Sequence, residues 1–545
     1  MTQTPWHLAS VFESLADAVP DQIASIHGTS RRTYRAFEDR AARLAAALAR
    51  MGVGHETKVA LLMRNCPEYK EAQFAIFKNR GISINVNFRY KGEELLYLLR
   101  DSDAEIVVFQ GEFEDVLAEI AADLPGVRAF IRVGDAGDGV VDKGLSGLHD
   151  FETLIAAHAP APRIDRSPRD TVINYTGGTT GLPKGVMIDQ EASVRLYSFG
   201  YEFYGLPTPQ TTADLVAAAA ALAKAGTAPV CLVCVPYIHN TGSGVGHTMT
   251  TLMGGTVVTL TGKSFDPAEV LSIILRERVT QLVIVGDAIA KPLLLEIEAR
   301  ERAGEPCDLS SLRLIASAGV MWSKEVKQAF LDRGDMILID FFGATEGGMG
   351  MSRSSRIEPP TTAKFRARPS VKLLDDDGNE IPWGSGRPGR FAAKENIPFG
   401  YYKSEERTSA AFLTFGGVRY SVPGDYGFIA ADGEMTVLGR GSSCINTGGE
   451  KVFAEEVESV VKRHDTVLDC LVIGVPDDRF GSAVAALVAP KPGARIDAGS
   501  LADFVRSILS GYKVPKYFIE VPDVQRGPNG KPDYQWAKEA ARVAA

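Results

Sequence analysis

Short apolar runs alternate with helical periodicities along most of this chain, and that alternation restricts it to layered α/β architecture. Val59–Met63, Cys231–Val235, Leu282–Val285, Arg313–Ser317 and Met336–Phe342 read as short buried strands. Phe37, Ala41, Leu44, Leu48 and Met51 recur at helical spacing, and Gly52 follows as a stop. Strands that are apolar on both faces predict largely parallel pairing under covering helices. At 545 residues the chain is too long for one ordinary core, so two or more domains are expected. Beyond residue 444 the pattern changes to a small α+β unit: helix over Glu455–Lys462, strands over Asp469–Val475 and Ala483–Ala489, helix over Ala502–Leu509. The glycine-rich Leu438-Gly-Arg-Gly-Ser-Ser443 string before it is the expected hinge.

Composition excludes several classes. A net charge of −9 argues against nucleic acid, because phosphate binding needs a basic surface. No apolar run approaches the ~18 residues of a membrane span; the longest, Leu215–Ala223, is mostly alanine. The N-terminus lacks a charged-then-apolar leader pattern. Sparse, scattered cysteines fit a reducing cytoplasm. Cys231 and Cys234 form a Cys-x-x-Cys inside an apolar run, which reads as buried strand rather than a zinc site, since no second ligand pair follows. Tyr204–Pro229 stands out as an insertion, either a surface addition or a substrate-facing element, with an alanine-rich helix that Thr211 or Thr212 would cap.

Five stretches carry chemistry. In Tyr175-Thr-Gly-Gly-Thr-Thr-Gly-Leu-Pro-Lys-Gly-Val186, small residues leave backbone N–H groups bare and hydroxyls add donors, a composition that wraps polyphosphate oxygens with Lys184 adding charge. It is not a Walker loop, because proline precedes Lys184. Asp340-Phe-Phe-Gly-Ala-Thr-Glu346 ends a strand in aromatic rings suited to a nucleobase, and Glu346 can help hold magnesium on the phosphates. Asp425, after the Pro423-Gly424 turn, can accept both hydroxyls of a ribose, and Arg440 can reach the same ribose or phosphate. Cys444-Ile-Asn-Thr-Gly-Gly-Glu-Lys-Val452 pairs Gly448 and Gly449 for close approach to a narrow ligand. Arg526-Gly-Pro-Asn-Gly-Lys-Pro532 reads by itself as a surface turn.

In this order, the five stretches resemble the adenylate-forming superfamily of acyl-CoA synthetases, luciferases and peptide-synthetase adenylation domains. The resemblance spans Thr33 to Lys531. It implies a large multi-subdomain N-terminal α/β domain over residues 1–439 that binds ATP and acid. A hinge at 440–443 and a small mobile α+β domain over 444–545 would follow. Thr176, Gly177, Gly178, Thr179, Thr180, Gly181 and Lys184 match the phosphate loop, with Gly177 where the family usually has serine. Asp340, Phe341, Phe342, Gly343 and Thr345 match the adenine and phosphate strand, and Phe342 takes the place of the usual tyrosine. Glu346 and Thr179 match the magnesium contacts. Asp425 and Arg440 match the ribose pair. Ser442 stands where the hinge is commonly aspartate or lysine, and Asn446 where lysine is frequent. Gly448, Gly449 and Glu450 match the CoA tunnel, and Lys531 the catalytic lysine. His239 matches the gate beside the acyl pocket, whose turn is Ser317, Ala318, Gly319 and Val320.

The implied reaction has two steps. The acid attacks the α-phosphorus of ATP with loss of pyrophosphate, and the thiol of coenzyme A then displaces AMP. Lys531, Glu346 and Thr176 are the expected catalytic residues, acting by positioning and charge neutralisation. The expected co-substrates are ATP and coenzyme A with Mg2+, and the remaining partner is a small-molecule carboxylic acid. No nucleic acid, no membrane span and a cytoplasmic location are expected, with a homodimer compatible. The acyl region offers small and apolar groups and no clear acidic residue, which favours a hydrophobic acid over an amino acid. The glycine-rich 439–451 string and the insertion look similar to bacterial ligases of fatty acids or steroid side-chain acids; an aryl acid is the alternative. Rival readings are an adenylation enzyme serving a carrier protein, a luciferase-type oxygen-dependent enzyme and a silent binding protein on this fold.

Overall fold

The structure, a computed structural model, describes residues 4–134, 144–178, 181–320, 322–441, 444–447, 450–477, 481–509, 511–527 and 532–544. Two compact units divide the chain. One comprises Met1–Gly347, Arg353–Pro360 and Glu395–Phe412; the other comprises Gly348–Ser352, Thr361–Lys394 and Leu413–Ala545.

The first unit contains two largely parallel sheets. One runs in the order Gly400–Tyr401, Gly181–Asp189, Thr171–Gly178, Ile82–Asn85, Lys58–Leu62, Ile106–Gln110, Ala129–Val133, Leu148–Asp150. Its five pairings from Thr171–Gly178 to Leu148–Asp150 are parallel. The other runs in the order Ser30–Thr33, Ile23–His27, Thr256–Thr259, Val230–Val233, Gln281–Ile284, Leu314–Ala318, Ile337–Ala344, parallel from its second strand onward. Helices Tyr34–Arg50 and Pro67–Lys78 pack on each other, and the largest core joins their side chains to those of both sheets. Leu44, Leu48, Leu61, Val108 and Leu282 are all fully enclosed there, each burial worth roughly 1.5–3 kcal/mol. The Thr33 hydroxyl caps the first of these helices by accepting from Ala36 N at 3.2 Å.

The strands foreseen from the sequence are present within one or two residues of their expected ends. Cys231 is a buried strand residue, and Cys234 lies just past the strand, its N–H donating to Val283 O at 3.0 Å. The insertion is ordered. Thr211 caps the helix Thr212–Lys224 in a capping box with Asp214. Leu215 and Ala219 are buried in a core shared with the helix Leu8–Ala18. The single proton of the Tyr201 hydroxyl is shared between Leu215 O and Leu252 O, 3.1 and 2.8 Å away, which ties the insertion to the preceding turn.

In the second unit, Lys364–Ala367, Glu434–Arg440, Asp425–Ile429, Gly389–Ala392, Lys372–Leu374 and Glu380–Ile381 are neighbours in one antiparallel sheet. A separate three-stranded sheet is built from Val467–Asp477, Gly481–Pro490 and Tyr517–Glu520. Strand alternation splits its side chains. Cys470, Val472, Val484, Ala486 and Val488 face helices Ala454–Val461 and Ala498–Arg506, whereas Leu471, Ile473, Ala485, Leu487 and Ala489 face helix Tyr534–Ala544. Among the described residues no helix is long and apolar enough to cross a membrane.

Candidate active site

The threonine- and glycine-rich stretch is the end of a β-hairpin. The apolar strand runs on past Tyr175 to Gly178 and returns from Gly181, with Tyr175 opposite Gly185, Thr176 opposite Lys184 and Gly178 opposite Gly181. Thr179 and Thr180 lie outside the described residues. Directly opposed residues share a face, so Thr176 and Lys184 are side by side. A Cβ at Gly185 would come within 2.9 Å of the Tyr175 ring, so only glycine fits there. The Tyr175 hydroxyl donates to Asp101 Oδ2 at 2.7 Å, fixing the base of the hairpin.

Tyr401, which sequence reasoning did not single out, gathers this site. It pairs with Val186 on the hairpin's outer edge. Its hydroxyl donates to Glu346 Oε1 at 2.5 Å, and the Lys184 ammonium sits 4.9 Å from its ring centroid. One aromatic ring thus touches the carboxylate and the cation that the motifs placed on the phosphates. The only sequence signal is the Phe399-Gly-Tyr-Tyr402 string, which by itself reads as an ordinary aromatic edge.

Alternation along Ile337–Ala344 sends Asp340 and Phe341 to opposite faces. Asp340 is buried against Lys327 Nζ at 3.1 Å. Burial pushes its carboxyl up to about 6, although the Lys327 ammonium pulls it down. Phe341 meets the rings of Phe199 and Phe203 with centroids 5.7 and 6.1 Å away. These two residues therefore have protein partners of their own. Phe342 and Thr345 remain half-buried at the strand exit, and Gly343 is exposed.

Of the residues expected at an acyl pocket, Ser317 is fully buried and its Oγ accepts from Gly286 N at 2.9 Å. Ala318 pairs with Phe341, Val320 packs on the core and Gly319 is exposed. His239, half-buried, precedes a π-helical turn over Thr241–Thr248. In that turn the Ser243 N–H donates to His239 O at 2.9 Å, and the Ser243 hydroxyl accepts from Lys70 Nζ at 2.6 Å. Lys70 is buried; it also donates to Gln73 Oε1 at 2.8 Å and lies 4.9 Å from the Tyr237 ring centroid. No carboxylate pairs with Lys70 among the described residues, and burial pushes its ammonium down to about 7.

In the second unit, Asp425 and Arg440 are opposed across two consecutive antiparallel strands, and Asp425 is buried. Gly439 packs so closely on helix Ala454–Val461 that a Cβ would collide with the Glu455 carboxylate. Glu450 pairs with Thr447, and Asn446 with Lys451, in the hairpin Cys444–Thr447/Glu450–Phe453. Ser442, Gly448, Gly449 and Lys531 lie outside the described residues. The residues flanking Lys531 are anchored: Arg526 and Pro532 form an antiparallel bridge, and Arg526 grips Asp469 with two bonds of 2.6 and 2.8 Å. Burial alone would raise the Asp469 carboxyl, but Arg526 and Lys462 outweigh it and hold it at about 2.

Comparison with known proteins bears on the family and the fold. Residues 12–402 match the family described as AMP-binding enzyme, and residues 456–531 match the AMP-binding enzyme C-terminal domain. Over 541 residues the chain is 40% identical to a medium/long-chain-fatty-acid–CoA/3-oxocholest-4-en-26-oate–CoA ligase of Mycobacterium marinum, covering 98% of this chain and 96% of that protein. It is 39% identical over 543 residues to a 3-oxocholest-4-en-26-oate–CoA ligase of Rhodococcus rhodochrous, covering 98% and 95%. Among solved structures, the anthranilate CoA ligase AuaEII in complex with anthranoyl-AMP aligns with a TM-score of 0.84 at 23% identity, over 99% of this chain and 98% of that one. ATP-bound MatB from Rhodopseudomonas palustris aligns with a TM-score of 0.79 at 24% identity, over 98% and 99%. The fold is the adenylate-forming one, a large N-terminal α/β domain followed by a small C-terminal domain. The chain therefore belongs to the AMP-binding enzyme family, within the adenylate-forming superfamily that its ordered motifs resemble.

Proposed function

We propose that this chain is an ATP-dependent acid–CoA ligase acting on a hydrophobic carboxylic acid, with a fatty acid or a steroid side-chain acid favoured. The observation that carries the reading is the meeting of Lys184 and Glu346 on the Tyr401 ring, at the base of the Thr/Gly hairpin. In the first step the acid's carboxylate oxygen bonds to the α-phosphorus of ATP and the bond to pyrophosphate breaks. Lys184, Thr176 and backbone N–H groups of the 177–181 stretch hold the departing polyphosphate. Lys531 stabilises charge developing on the α-phosphate and carboxylate oxygens, and Asp425 and Arg440 hold the ribose. In the second step the CoA sulfur bonds to the acyl carbon, the acyl–phosphate bond breaks and AMP leaves, with Gly448, Gly449 and Glu450 along the thiol's path. Residues 440–443 serve as the pivot between the steps, and Phe342 stacks on adenine.

The donors at the site fit a hard cation: Glu346 offers a carboxylate, Thr179 a hydroxyl, and the bound triphosphate more oxygen. Bound there, magnesium would neutralise phosphate charge. Specificity rests on His239 and the Ser317–Val320 turn. The relatives' fatty and steroid acids support the favoured substrates. An aryl acid is the second reading, favoured by the aromatic Phe199–Phe203–Phe341 wall beside Ala318. A cytoplasmic homodimer completes the proposal. The test is acid-dependent ATP–pyrophosphate exchange, followed by a CoA-thioester screen over fatty, aryl and steroid acids. Absence of exchange with every acid would overturn it.

A further inference from the structure

Two asparagines hold the segment that leads into His239, and one of them also holds the phosphate hairpin. Asn65 follows strand Lys58–Leu62, and Asn85 ends the neighbouring parallel strand Ile82–Asn85, where Leu61 pairs with Asn85. Both leave the carboxyl ends of their strands, the edge at which ligands bind in open parallel sheets. The Asn65 amide donates to Val235 O at 2.8 Å and accepts from Tyr237 N at 2.7 Å. The Asn85 Oδ1 accepts from Tyr175 N at 2.7 Å, and its Nδ2 donates to Tyr175 O at 2.8 Å and to Ile238 O at 2.7 Å.

The register explains why an amide is needed at residue 85. Strands Ile82–Asn85 and Thr171–Gly178 pair only at Ile84–Ile173. One step further the backbones part, and Tyr175 would face its neighbour with N–H and C=O unpaired. A carboxamide carries both a donor and an acceptor, so it stands in for the missing strand. Its second N–H is left over and reaches the carbonyl of Ile238, the residue before His239. No other natural side chain of this length supplies one acceptor and two donors.

We infer that Asn85 is a positioning residue coupling the phosphate hairpin to the acid gate, and that Asn65 positions the gate alone. This inference rests on the proposed roles of that hairpin and of His239. It makes two residues of similar chemistry differ in effect. Removing Asn65 frees only the 235–238 segment. Removing Asn85 frees that segment together with the strand whose next residue is Thr176.

The experiment measures KM for ATP and for acid separately, with kcat, in acid-dependent ATP–pyrophosphate exchange, beside thermal melts. Asn65→Ala is expected to raise KM for the acid about tenfold and leave KM for ATP within about twofold; Asn85→Ala is expected to raise both about tenfold. Asn85→Asp keeps the acceptor for Tyr175 N–H but sets an anion against two carbonyls, and is expected to behave like the alanine variant. If an alanine variant fails to accumulate, Asn65→Ser and Asn85→Ser are read the same way. A purely structural role would lower kcat and melting temperature with both KM values unmoved, and that result would overturn the inference. So would equal effects of the two asparagines on ATP. A wild-type enzyme without exchange overturns the proposed function and this inference with it; an active wild type lacking the split overturns the inference alone.

Discussion

The hydroxyl of Tyr401 donates to the Glu346 carboxylate at 2.5 Å, across 55 residues of sequence. That bond fixes the direction in which the carboxylate presents its second oxygen. In Tyr401→Phe the ring over Lys184 survives and only the hydroxyl is lost. A hydrogen bond to a charged group contributes about 1.5–3 kcal/mol, so KM for magnesium–ATP should rise about tenfold while KM for the acid holds. Exchange kinetics titrated with magnesium check this; an unchanged magnesium requirement would remove Tyr401 from the site.

Lys70 should reveal itself through pH. A free lysine titrates near ~10.4, whereas the buried one stands at about 7. Between those values the unfolded chain binds more protons, so stability rises with pH across that window, by at most ~1.4 kcal/mol per pH unit. The groups facing Lys70 are Gln73, Ser243, Tyr69, Tyr237 and His247. Burial holds His247 well below its usual range, leaving it neutral throughout. Melting Lys70→Met beside wild type from pH 7 to 10 should show a difference that shrinks or reverses as pH rises. A pH-independent difference contradicts the shifted ammonium.

The Lys327–Asp340 pair is enclosed on both sides, with side chains 1% and 6% exposed. Lys327→Met should cost about 3–5 kcal/mol by stranding a buried carboxyl. The double change Lys327→Met with Asp340→Leu should recover most of that loss. Urea unfolding of both variants tests it; a double variant as unstable as the single one argues against the pair.

Arg526 grips Asp469 just before the stretch that carries Lys531, so the proposed role of that lysine ties stability to chemistry there. Lys531→Ala should reduce adenylation by about 10²–10³ and spare thioester formation from preformed acyl-AMP. Arg526→Ala should show the same selectivity at about tenfold, together with ~1–3 kcal/mol of lost stability. Arg526→Lys should not rescue it, since a single ammonium cannot replace the two-pronged contact. Quenched-flow assays of each half-reaction separate the outcomes; equal loss in both halves contradicts the role.

The elements that were legible in the sequence are those whose signal is local. Val59–Met63 and Met336–Phe342 declare buried strands by their apolar runs, and Thr211 with Asp214 declares a capped helix. Tyr401, Asn65, Asn85 and Lys70 were not legible. Their roles rest on partners distant in chain order: Glu346 and Lys184 for Tyr401, Val235 for Asn65, Tyr175 and Ile238 for Asn85, and Ser243 for Lys70. An asparagine after a strand reads as an ordinary strand exit until its amide is seen to replace a ladder. Asp340 has a partner that its motif did not announce. It lies inside a motif, yet its carboxyl faces a lysine thirteen residues upstream.

The alanine-rich helix of the insertion carries a lesson for anyone reshaping this enzyme. Excising 205–229 as a dispensable loop would strip an acceptor from the Tyr201 hydroxyl and unroof the Leu8–Ala18 helix. It would also unsettle the short turn that presses Phe199 and Phe203 on Phe341. Grafts that alter acid preference should therefore exchange 197–224 as one cassette, turn and helix together.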